Sequence, residues 1–129
     1  MSNPKLKNIL IADAITCGGV FAIGLLAAAP VGALLGLPEA IVAIGGWICL
    51  AAALLMIVAA RQVAPNPALV KLIALGNIGW VAASFAVVAT FAAQMTGLGI
   101  AVVVAQALGV LVFAILEWKD ARVPRALVV

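Results

Sequence analysis

Among the side chains able to hydrogen-bond inside otherwise apolar runs, six form a candidate polar cluster: Asp13, Asn77, Trp80, Ser84, Gln106 and Glu117. Burying a charged group at the centre of a membrane helix costs roughly 2.5–3.5 kcal/mol on insertion scales, so Asp13 must face protein or water. Two kinds of chemistry follow from a carboxyl in that position. It can accept hydrogen bonds from Asn77 or from a hydroxyl such as Thr16, or be reached by Lys7 or Lys71 extending inward from the interface, and so fix helix register. Alternatively it can take up and release a proton in step with a bound solute. Asp13 stands five residues beyond Asn8, about 8 Å along a helix at 1.5 Å per residue. Asn77 is expected at a comparable level, with Trp80 and Ser84 on its face at i+3 and i+7, and Glu117 at the same end of the last run. Asp13, Asn77 and Glu117 are thus expected to converge, with Gln106 deeper. Trp80, Ser84 and Phe91 also form a stripe that reads more simply as helix packing.

Other chemistries lack their residues. The chain has no His, which removes the usual axial ligand of haem and the commonest ligand of a chlorophyll magnesium. Cys17 and Cys49 fall near the middle of the first two runs and read as buried thiols behaving as small hydrophobes, with a disulfide or metal pair as the alternative. Zinc would need two further ligands. No nucleophile paired with a base, no phosphate-binding loop and no basic stripe with interleaved aromatics is present. The chain is therefore expected not to be an enzyme, to carry no cofactor and to bind no nucleic acid.

The elements that hold these residues are membrane spans. The 129 residues are 68% hydrophobic and only 9% charged, with a mean hydropathy of +1.39, whereas soluble domains are about half apolar and about a quarter charged. A spanning helix needs roughly 20 apolar residues, and four runs satisfy this, at about 8–29, 40–60, 68–93 and 98–118. They use nearly the whole chain as one membrane domain. The first run is longer than the apolar core of a signal peptide, and Pro30 follows the Ala27-Ala28-Ala29 stretch that resembles a cleavage site; it is expected to be a retained helix. Residues 31–38 form a bent extension or a turn, in which Gly32 and Gly36 suit either close helix packing or turn geometry.

All seven basic residues lie on one side of this pattern. Lys5 and Lys7 precede the first run, Arg61 and Lys71 flank the second connection, and Lys119, Arg122 and Arg125 follow the last run. The other two connections carry none. The positive-inside rule then predicts an all-α, four-helix transmembrane bundle with both termini cytoplasmic, sequential helices packing as antiparallel neighbours. Glu39 would complement the dipole of the second helix, and Trp118 beside Lys119 would anchor the last one at the interface. A shift of 64 residues superimposes Lys7 on Lys71, Asp13 on Asn77, Phe21-Ala22 on Phe85-Ala86 and Gly45 on Gly109, a faint sign of a repeated hairpin.

Several of these motifs together resemble a group of small, uncharacterised bacterial four-helix integral membrane proteins. The likeness rests on Ala12-Asp13-Ala14, on residues 34–38 (Leu-Leu-Gly-Leu-Pro), on residues 76–84 from Gly76 through Asn77 and Trp80 to Ser84, on Gln106-Ala107 and on Glu117-Trp118. It implies the fold and a multi-pass location in the bacterial inner membrane, and it marks the six polar residues as a recurring set. It implies no activity. The layout is also similar to that of small multidrug-resistance transporters, which carry a Glu in the first helix where this chain has Asp13. Two functions are therefore expected. The first is a non-enzymatic accessory or structural subunit that lies in the lipid bilayer beside other membrane subunits or further copies of itself. The second is a proton-coupled transporter of a small cationic or hydrophobic solute, with Asp13 as the coupling carboxylate and Asn77, Trp80 and Gln106 lining the path.

Overall fold

Five α-helices account for most of residues 4–121, the part of the chain that the computed structural model describes. They are α1 (Pro4–Leu26), α2 (Ala28–Leu35), α3 (Glu39–Arg61), α4 (Pro67–Phe91) and α5 (Gly97–Ala121). All but α2 are long and apolar enough to cross a membrane. The expectation for residues beyond 121, including Arg122, Arg125 and an irregular tail around Pro124, falls outside the described residues.

Helix bounds follow local chemistry. The first span starts at Pro4 rather than near residue 8, and it breaks at Ala27 instead of running to Ala29. Pro30 explains the break: it has no N–H for the Leu26 carbonyl, and its ring crowds that position in a continuous helix. The chain restarts as α2, where proline sits harmlessly in the first turn, so residues 28–35 are the bent extension. Gly36 closes α2 in the left-handed conformation at φ 75° and donates to the Gly32 carbonyl, a C-terminal turn that favours glycine. Asn66 caps α4, its side-chain oxygen accepting from Ala68 N at 2.8 Å and Leu69 N at 3.4 Å, with Pro67 as the first helical residue.

Packing is organised as two antiparallel hairpins, α1 against α3 and α4 against α5. The first hairpin is tight. A Cβ placed on Gly24 would lie 2.9 Å from Gly46 Cα and 3.0 Å from the Val42 carbonyl oxygen, so these backbones touch where only glycine fits. The buried core joins this half to the other: Leu6, Leu10, Cys17, Cys49 and Met56 of α1 and α3 cluster with Ile73 of α4. The two hairpins meet at the α2 end of the bundle. There Thr96 N donates to the Leu35 carbonyl at 3.1 Å and Thr96 Oγ1 to the Leu34 carbonyl at 2.9 Å. Gln94 Nε2 reaches the Gly36 carbonyl at 3.3 Å.

Sequential helices are not uniformly neighbours. α3 and α4 are joined by a five-residue connection (62–66), yet they pack sparsely and diverge. Their divergence leaves a cleft of about 310 Å³. Ile48, Leu55 and Leu72 form its rim and are more than two-fifths exposed, so it opens sideways, towards what would be lipid.

Candidate functional site

The polar residues form two connected sets. Asp13 continues the buried stripe of α1 (Leu6, Leu10, Ala14, Cys17), and Asn77 continues that of α4 (Val70, Ile73, Ala74). In each helix a polar side chain therefore takes a place that spacing alone would give to an apolar one. Asp13 lies nine residues from the start of α1, and Asn77 lies ten from the start of α4. At 1.5 Å per residue these are about 14–15 Å along each helix; from Asn8, Asp13 remains five residues on, about 8 Å. Glu117 is only one turn from the end of α5. Side chains lean towards the N-terminus of their helix, so Glu117 tilts inward while Asp13 and Asn77 tilt outward, and the three meet.

Asn77 Nδ2 donates to both acids, to Asp13 Oδ2 at 2.7 Å and to Glu117 Oε1 at 2.7 Å. Both acids are completely buried. One amide thus bridges two buried carboxyl groups, and Glu117 Oε2 is buried without a hydrogen-bond partner. Two carboxylates held on one amide repel each other unless one of them carries a proton.

Among the described residues, no basic side chain pairs with either acid. Lys71 does not extend to Asp13; its Nζ lies over the Trp118 ring, 5.4 Å from the centroid, so that Trp118 is engaged by a cation at its end of the bundle. Lys5 pairs with Asp120 at 3.9 Å. Thr16 donates to the Ala12 carbonyl of its own helix instead of to Asp13.

The second set lies deeper and is self-contained. Trp80 Nε1 donates to Gln106 Oε1 at 2.8 Å, and Gln106 Nε2 donates to Ser84 Oγ at 2.9 Å and to the Val103 carbonyl at 2.8 Å. Ser84 Oγ in turn donates to the Trp80 carbonyl at 2.8 Å. Ser84 and Trp80 are thus more than a packing stripe: with Gln106 they tie α4 to α5. Phe91 takes no part in these bonds.

The two thiols adjoin the acid pair. Cys17 of α1 and Cys49 of α3 are both reduced and buried in one cluster, and Cys17 Sγ lies 3.9 Å from Asp13 Oδ1. Among the described residues, no group of three His, Cys, Asp or Glu side chains is arranged to hold a metal ion.

Both sets border the α3–α4 cleft. Asn77, Trp80 and Gln106 line it together with Cys17 and Cys49, and no charged side chain does. Sequence spacing grouped the acids with Asn77 but could not show the cleft, which arises from the divergence of two helices adjacent in sequence. Gly24 and Gly46 were the missed positions. Their signal is weak, because twelve glycines are scattered through the chain.

No protein-family model, no curated protein and no solved structure matches this chain.

Proposed function

We propose that the chain is a non-enzymatic, proton-coupled carrier of a small hydrophobic solute, with the Asp13–Glu117 pair as its proton-binding group. The observation that carries this is the placement of two fully buried carboxyls on one amide, with no cation beside them among the described residues. An uncompensated charge in low dielectric is costly, and a proton is the counter-charge such a closed site can admit. The lateral cleft supplies a way in from the bilayer. Its lining favours the hydrophobic over the cationic half of the expectation, since neither carboxylate borders it. The distribution of Lys and Arg supports four crossings with both termini cytoplasmic, and the polar motifs resembling small bacterial membrane proteins support an inner-membrane location.

Proteoliposomes containing a pH-reporting dye and an imposed proton gradient test the carrier function. Native protein is expected to speed collapse of the gradient when uncharged indoles or aryl alcohols are added, relative to protein-free liposomes. Asp13→Asn and Glu117→Gln preserve shape and hydrogen-bonding capacity but should abolish the effect. Equal collapse in the variants, or none with native protein across the panel, overturns the proposal.

An accessory subunit is the second reading, favoured by Trp47. Its indole is 56% exposed eight residues into α3, about 12 Å from the helix start. Its N–H makes no hydrogen bond there, and its one ring contact is edge-on with Phe21 at 5.4 Å. Tryptophan belongs at membrane interfaces, where its N–H finds water or headgroups. A mid-depth, outward indole suits a partner helix with an acceptor. Purification in native nanodiscs followed by mass spectrometry would find a stoichiometric partner if this holds, and a chain without one would refute it.

A further inference from the structure

The cleft has a chemical preference that follows from counting its hydrogen bonds. Trp80 Nε1, both bonds donated by Gln106 Nε2 and the Ser84 hydroxyl are engaged within the protein. Both N–H groups of Asn77 point away from the cleft, one to each carboxyl. Asn77 Oδ1 accepts nothing, and it is not sealed off among the buried unpartnered atoms. Asn77 is 5% exposed and lines the cleft, so its carbonyl oxygen is the part that faces the opening. An open acceptor on a buried side chain calls for a donor. The Thr16 hydroxyl, also on the lining, donates to the Ala12 carbonyl of its own helix; the remaining surface is aliphatic, with the Trp80 ring, the Met56 thioether and two thiols, and holds no charge to match an ion. At about 310 Å³ the space stands at the lower end for small-molecule sites.

We propose that the α3–α4 cleft binds a small, uncharged, largely apolar solute bearing one N–H or O–H group, which donates to Asn77 Oδ1. Asn77 then links the solute to the acid pair. A hydrogen bond to the amide oxygen draws electron density towards it and strengthens both N–H donors. Stronger donors favour the ionised pair, so binding expels the shared proton to water, and by reciprocity solute affinity rises with pH. Among the described residues, the groups on this pair are Asn77 from α4, which donates to both acids, and Cys17 from α1, whose Sγ lies 3.9 Å from Asp13 Oδ1, with Cys49 of α3 buried in the same cluster. This inference rests on the carrier function for its second half only. The binding site itself stands on the cleft and the open acceptor.

Calorimetry on nanodisc-embedded protein with indole and N-methylindole as probes tests it, since the two differ essentially in the donor. Indole is expected to bind saturably, one per chain, above its partition into empty discs, with N-methylindole about tenfold weaker. Gly76→Leu should abolish binding. Gly76 borders the cleft, and a Cβ there meets no atom within 4 Å, so leucine can enter the space without displacing Asn77. Repeating the titration in buffers of different ionisation enthalpy counts protons released. About one is expected for native protein and none for the Asp13→Asn/Glu117→Gln double variant. Equal affinity for both probes, insensitivity to Gly76→Leu, or uptake matching empty discs overturns the site. Saturable indole binding with no proton released supports the site and overturns the coupling. Gradient collapse in proteoliposomes without indole binding does the reverse.

Discussion

Asn77→Leu tests the centre of the polar site most directly. The substitution removes two 2.7 Å hydrogen bonds at once and leaves two buried carboxyls to each other alone. Bonds to charged groups contribute about 1.5–3 kcal/mol each in soluble proteins, which would give about 3–6 kcal/mol for the pair. In membranes interhelical bonds average about 0.6 kcal/mol, because the unfolded helices find other partners in the bilayer, which gives about 1.2 kcal/mol. The membrane value governs the neutral part of the loss. The stranded acids add to it, since Glu117 Oε2 already lacks a donor. The expected destabilisation is therefore about 1–3 kcal/mol, and Asn77→Gln, which keeps the amide, should recover part of it. Steric-trapping or detergent unfolding in bicelles measures this, with Asn77→Leu combined with Asp13→Asn closing a double-mutant cycle. A positive coupling energy of 0.5 kcal/mol or more is expected for residues in direct contact. Additive effects, or a loss from Asn77→Leu below about 0.5 kcal/mol, would refute the view that this amide holds α1, α4 and α5 together.

Two further outcomes follow from the packing and the charge pattern. Gly24→Leu sets a side chain against Gly46 Cα and the Val42 carbonyl, both backbone, so α1 and α3 must separate. A loss of about 1–3 kcal/mol is expected in the same unfolding assay, and an unchanged midpoint would contradict the close contact. With Cys17 and Cys49 replaced by Ala, single cysteines at Gln62 and Gln94 should be labelled from opposite sides by a membrane-impermeant maleimide, Gln94 in intact cells and Gln62 only after permeabilisation. Labelling of both from the same side would overturn the orientation.

The spans and the polar set could be read from the sequence for different reasons. Hydropathy marks a spanning helix because twenty apolar residues have no alternative use, and all four long helices lie where the apolar runs are. Asp13, Asn77 and Glu117 stood out because a polar group in hydrocarbon must find a partner, and few partners were on offer. The finer bounds were less legible. α1 is already helical at Pro4, the first described residue, whereas its break at Ala27 depends on a carbonyl–ring clash one turn before Pro30. The closeness of Gly24 to Gly46 and the divergence of α3 from α4 are properties of pairs of helices, and no single helix's pattern of Ala, Val and Leu encodes its neighbour.

The two hairpins bear on the 64-residue shift. Asp13 and Asn77, superimposed by that shift, lie at equal depth in α1 and α4 and bond directly to each other. A repeat related by rotation would bring equivalent positions together near its axis, and this one pair of equivalent positions is in contact. The other equivalences do not behave as pairs: a Cβ on Gly45 would meet the Trp80 ring at 3.3 Å, while Gly109 faces open space. α2 has no counterpart between α4 and α5, where five residues suffice. At the centre the two halves are complementary rather than identical: an acid in one half and an amide in the other. Two acids in those places would repel, and two amides would hold no proton. The asymmetric pair, with Glu117 added from the second hairpin, is what the proposed competition between a proton and a hydrogen-bonded solute requires.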